Sequence, residues 1–114
     1  MTPDEFRTMA LKLPDTEEGA HMGHPDFRVR GKIFATLGYP AVGWGVVKLT
    51  AQEQQRLVDA EPEVFVPAKG AWGRQGMTSV LLRSARKTTV RDALAAAWTN
   101  TAPKPLARQR ASRP

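Results

Sequence analysis

The 114-residue chain has no cysteine, which excludes a disulfide framework, a thiolate metal site and a cysteine nucleophile. No apolar run approaches the roughly 18 residues that a membrane span needs. The opening stretch MTPDEFRTMALKL mixes Asp4 and Glu5 into its apolar positions, which is not the pattern of a signal peptide. A cytoplasmic protein that does not enter a membrane is therefore expected. GxSxG, the Walker lysine pattern and GxGxxG are all missing, so neither a nucleophile elbow nor a nucleotide phosphate cradle is indicated. There is also no internal repeat.

What is present fits one compact domain. A chain of 114 residues that is 41% hydrophobic and 25% charged is large enough for a real core and too apolar to be disordered throughout. The net charge of +6 is unevenly placed: residues 103–114 carry Lys104, Arg108, Arg110 and Arg113 without an acid, leaving 13 basic against 11 acidic residues in the first 102. The expected organisation is a single folded domain over 1–102 followed by a basic, disordered arm over 103–114. Such an arm solubilises the chain or attracts polyanions of any sequence.

Thr2 and Glu5 have capping-box spacing around Pro3, and Phe6, Met9, Ala10 and Leu13 recur at helical spacing, predicting a helix from about Pro3 to Leu13. Pro14 stops it, and the acidic stretch Asp15 to Glu18 reads as a connector. From Ala20 to Leu49 short β-forming runs punctuated by glycine and proline predict a meander of antiparallel strands. Within it, GHPDFRVRGKIFATL (residues 23–37) is a hairpin signal, with Arg28, Arg30 and Lys32 around a turn at Gly31. A two-residue turn is uncomfortable for Arg30, so a three-residue loop is an equal alternative. Thr50 and Glu53 cap a surface helix through about Ala60, and Val64 to Val66 reads as a short strand. GAWGRQG (70–76) reads as a glycine-rich loop and Met77 to Arg83 as the last strand. Thr89 and Asp92 cap a final helix burying Val90, Leu94, Ala97 and Trp98. The fold class is α+β, an antiparallel sheet with helices packed on one face and the other face partly open.

Few residues suggest chemistry. His21 and His24 are three apart, which in an extended segment places the two imidazoles on opposite faces, so no metal site is expected. Asp15, Glu17 and Glu18 read as a solvated acidic loop, and no cofactor or catalytic residue is indicated. The remaining constellation is cationic: Arg28, Arg30 and Lys32 on the hairpin, Lys69 and Arg74 flanking Trp72, and Arg83, Arg86, Lys87 and Arg91 leading into the last helix. Phosphate backbones reward such cations through counterion release, and an aromatic residue can stack or wedge beside them.

The run LPDTEEGAHMGHPDFRVRGKIFATL, followed by VKL, GAWGRQGMT and AAAWTNTAPKPL, resembles the MmcQ/YjbR family of small bacterial proteins over roughly residues 4–106. The resemblance implies a stand-alone α+β domain with a frataxin-like sheet and a double-wing DNA-binding motif. It places Phe27, Arg28, Gly31, Lys32 and Phe34 in the family hairpin and Trp72 and Gly73 in its loop. Frataxin-like iron binding is not expected, because the first helix offers only Asp4 and Glu5 among Arg7 and Lys12 instead of an acidic ridge. The sequence thus points to a non-enzymatic protein making weak, sequence-tolerant contacts to the DNA backbone through Arg28, Arg30, Lys32, Lys69, Trp72 and Arg74. The alternative is a small-ligand or protein-interaction module that uses the open sheet face.

Overall fold

The computed structural model describes residues 1–111. The elements run α1 (Pro3–Leu11), β1 (Thr16–His21), β2 (His24–Val29), β3 (Lys32–Leu37), β4 (Trp44–Lys48), α2 (Ala51–Ala60), β5 (Phe65–Pro67), α3 (Ala71–Arg74), β6 (Met77–Leu81), α4 (Lys87–Thr101) and α5 (Lys104–Ala111). The six strands form one antiparallel sheet in the order β1-β2-β3-β4-β6-β5. The α+β class expected from the sequence is the observed one.

Both capping boxes form. Thr2 and Glu5 satisfy each other's backbone N–H groups at the start of α1, and Thr50 and Glu53 do so at α2. Glu5 also accepts from Lys87 Nζ at 2.6 Å, and that bond, then the Thr2 amide, pushes its carboxyl down to about 2. The same contact explains why α4 begins at Lys87, two residues before Thr89: the added turn is anchored on α1.

One sheet face packs on α1 and α4. Phe27 and Val29 of β2, Phe34 and Ala35 of β3, Val47 of β4 and Val80 of β6 are all fully buried there, against Phe6, Val90, Leu94 and Trp98. Phe6 meets Phe27 edge-on at 6.1 Å. The indole Nε1 of Trp98 donates to the Pro14 carbonyl at 2.9 Å, so the core's largest side chain has its one polar atom satisfied.

Four segments differ from the sequence-based expectation. Residues Thr16–His21 form β1 rather than an acidic connector. The exposed Glu17 and Glu18 suit an edge strand, which natural sheets protect with charge, and Glu18 accepts from Arg7 Nε of α1 at 2.9 Å. The glycine-rich segment holds the short helix α3, and the last strand ends at Leu81 in a 3-10 turn over Leu82–Ser84. The basic arm is helical as α5 over Lys104–Ala111. Leu106 and Ala107 pack against the core, and the Arg110 guanidinium lies 5.7 Å from the Trp98 ring centroid. Two apolar residues and a cation–π contact offset ordering that composition alone disfavours; residues 112–114 of the expected arm lie outside the described residues.

Because Phe27 is fully buried at the centre of this core, Phe27→Ala is expected to lower unfolding free energy by about 3–5 kcal/mol. Urea denaturation followed by circular dichroism measures it, and a loss under about 1 kcal/mol would place the centre of the core elsewhere.

Candidate functional site

The strand register lays one row of side chains across the sheet's other, outer face. Asp26, Thr36, Val46, Ser79 and Val66 are successive cross-strand neighbours from β2 to β5. All but Val66 are buried, although no long helix covers them. The β3–β4 loop, with Tyr39 and the cis-linked Pro40, folds over this row from one side and Trp72 of α3 from another.

Asp26 is the row's charged member and has no exposed surface. Arg28 donates to it twice, Nε to Oδ1 at 2.7 Å and Nη2 to Oδ2 at 3.0 Å. His21 Nδ1 lies 2.8 Å from Oδ2. The Arg28 hydrogen bonds hold the Asp26 carboxyl below the usual carboxylate range, overcoming the upward push of burial, and His21 acts in the same direction. An ionised Asp26 can only accept, so Nδ1 of His21 carries a proton. The carboxylate is a positioning group here, saturated by its neighbours and not available as a base.

His21 and His24 share a face, contrary to the expectation for an extended segment. Met22 and Gly23, both with positive φ, make a two-residue turn, so His21 and His24 become direct cross-strand partners. Both rings then pack on Tyr39, His24 tilted by 35° at 4.0 Å between centroids and His21 stacked at 6.1 Å and 18°. Gly38 permits this approach, because a Cβ there would lie 2.7 Å from His24 Nδ1. Among the described residues no three His, Cys, Asp or Glu side chains are grouped as metal ligands.

Tyr39 meets Trp72 edge-on at 6.2 Å and 78°, and beside this pair opens a mainly apolar cavity of about 320 Å³ with Trp44 as a further wall. Ser79 and Lys69 are its non-aromatic polar residues. Trp72 is 46% exposed, so it is not a core plug.

The cations of the sequence reading divide into two groups. Arg30 and Lys32 lie at the β2–β3 tip, where Arg30 and Gly31 form a two-residue turn with φ of 51° and 83°. The two-residue turn itself requires this left-handed position of Arg30, and its Nε donates to Asp15 Oδ2 at 2.9 Å. Arg28 points back to Asp26. Lys69 and Arg74 are exposed on either side of Trp72, and neither they nor Lys32 make an ion pair among the described residues. The structure places Lys69 and Trp72 together on the cavity lining, leaves Arg74 exposed two residues further along α3, and puts Arg30 and Lys32 at the far end of the hairpin from Tyr39. Arg86 faces Glu61 at 3.7 Å and Lys87 is bonded to Glu5. Tyr39 and Trp44 are not singled out by the sequence, and Ser79 is weighed there only as a nucleophile that lacks a GxSxG context; Met22–Gly23 between two histidines is the available signal for a hairpin that brings both rings to Tyr39.

Fold and site together define a small α+β domain with a sealed helical face and an aromatic, cationic outer face. The YjbR family model matches residues 11–100, and the chain belongs to that family. The crystal structure of Deinococcus radiodurans protein DR2400, which carries a DUF419 domain, is similar with a TM-score of 0.73 and 15% identity, covering 87% of this chain and 77% of that one. At that identity the likeness establishes the fold. No curated protein matches the sequence. No helix among the described residues is long and apolar enough to cross a membrane.

Replacing Asp26 by Asn leaves Arg28 and His21 around a neutral amide that cannot accept all their bonds, at an expected cost of about 1–3 kcal/mol at pH 7. Because the folded-state pKa is depressed, the Asp26 contribution is present above the unfolded carboxyl value of about 3.9 and is lost as pH falls from roughly 5 toward the lower folded value. Stability curves against pH should therefore converge for wild type and Asp26→Asn in acid. Parallel curves down to pH 2 would contradict the assignment.

Proposed function

We propose that this protein is a non-enzymatic DNA-binding protein whose contacts are weak, largely indifferent to sequence and centred on the Trp72 loop. The observation that carries this reading is a half-exposed Trp72 between Lys69 and Arg74, two cations with no acidic partner among the described residues. Unpaired cations can release counterions from phosphates without first surrendering an internal bond. Arg28 and Arg30 are already engaged by Asp26 and Asp15, so they support the site's shape more than its affinity, and Lys32 is the hairpin's available phosphate contact. Exposed cations of α5 add to long-range attraction.

A second reading, a small-ligand or protein-interaction module on the same face, is favoured by the cavity beside Trp72. Fluorescence titration with duplex and single-stranded DNA at several salt concentrations between about 50 and 200 mM separates the two. The DNA reading expects affinity to fall steeply with salt, and the slope of log K against log salt to decrease by about 2 in a Lys69→Ala, Arg74→Ala variant. Undetectable binding of both forms at low salt would overturn it in favour of the second reading.

A further inference from the structure

We propose that the cavity between Tyr39, Trp44 and Trp72 receives one unpaired nucleobase, making single-stranded DNA the form this face binds. The inference rests on the DNA-binding reading but can fail separately from it. Its first support is shape. A recess of about 320 Å³, near the lower end of small-ligand pockets, accommodates a single planar ring system and excludes a base pair held inside a duplex. Tyr39 and Trp72 stand at 78° to each other in contact, so a base seated in the corner beside them stacks on one ring and turns its own edge to the other. Such contacts tolerate any base, because every base has a π-face.

The polar groups fit the same occupant. Ser79 lines the recess, is 6% exposed, and its hydroxyl makes no hydrogen bond among the described residues. It can therefore donate to or accept from a base edge. A hydroxyl that works in both directions gives little discrimination among bases. Lys69 also lines the recess and Arg74 follows on α3, and no acid is part of the lining. Cations beside an aromatic recess favour a ring that carries a phosphate over a neutral aromatic compound.

By register, Lys69 follows β5 just past the Ala68–Met77 hydrogen bond and so lies at the same end of the sheet as the β2–β3 tip, with β4 and β6 between them. Three strand spacings are roughly 14 Å at about 4.8 Å each, so Lys32 and Lys69 do not share one phosphate, and of the two only Lys69 lines the recess.

The test compares a fluorescently labelled oligothymidylate with a mixed-sequence duplex of equal length, using the full chain and its Trp72→Ala and Trp72→Phe variants. The expected result is tighter binding of the single strand, a loss of about 5- to 100-fold on Trp72→Ala, and retention of most affinity in Trp72→Phe. Duplex affinity should not respond to Trp72→Ala. Circular dichroism of the variants checks that the fold is retained. Equal affinities for both DNA forms, both insensitive to Trp72→Ala, would overturn the base pocket and leave DNA binding standing. Binding of neither would overturn both. Competition by thymidine monophosphate at the oligomer's own concentration would assign the recess to a free nucleotide and overturn the single-strand assignment.

Discussion

A buried carboxylate organises the outer face of this protein. Asp26 lies in the middle of the β2 outer row with no solvent contact, and an unpaired charge there would be costly. Its compensation fixes three other groups in turn. Arg28 folds back along its own strand, passing over Gly19 of β1, where a Cβ would come within 3.1 Å of the Arg28 Nε. His21 is held by Nδ1, which presents its ring face to Tyr39. Tyr39, packed on both histidines, then provides the surface that Trp72 meets edge-on. The wall of the cavity therefore depends on a charge that the ligand never needs to touch.

The sheet can support this arrangement because its two faces are kept distinct by an irregularity in register. β2 and β3 pair as Arg28↔Ile33 and then Phe27↔Ala35, leaving Phe34 without a partner. The added residue directs both Phe34 and Ala35 into the core while Asp26 and Thr36 remain paired on the outer row. Without that bulge a period of two would place Phe34 outward or Thr36 inward. The one cost visible among the described residues is Thr36 Oγ1, a buried hydroxyl with no hydrogen-bond partner.

The parts of this structure legible in the sequence are those set by short-range chemistry. Thr2 with Glu5 and Thr50 with Glu53 announce their helices because the capping interaction is complete within four residues. The β2–β3 hairpin is equally local, since Gly31 and the flanking alternation suffice, with Arg30 taking the left-handed first position of the turn. β1 was hidden because an edge strand can carry Glu17 and Glu18 where a central strand would carry valines. α5 was hidden because its stability comes from Leu106, Ala107 and Arg110 meeting residues far away in sequence. The site was half legible for the same reason. Trp72 and its cations are contiguous in sequence, but Tyr39, Trp44 and Ser79 join them only through strand order.

Net charge is a poor guide to which cations are free to bind. Arg28, in the β2–β3 hairpin, could reach an outside anion only by leaving Asp26, which would strand a buried carboxylate with His21 as its remaining partner. Exchanging one anion for another gains little when the abandoned one cannot reach water. Arg30 is less constrained, since both it and Asp15 are substantially exposed, and surface pairs of this kind are worth little. The cations therefore rank by what each must give up: Lys69, Arg74 and Lys32 give up hydration alone, Arg30 a weak surface pair, and Arg28 the organisation of the face itself. A ligand that draws on Lys69, Arg74 or Lys32 leaves the Asp26 network intact, and of these three only Lys69 lines the aromatic cavity.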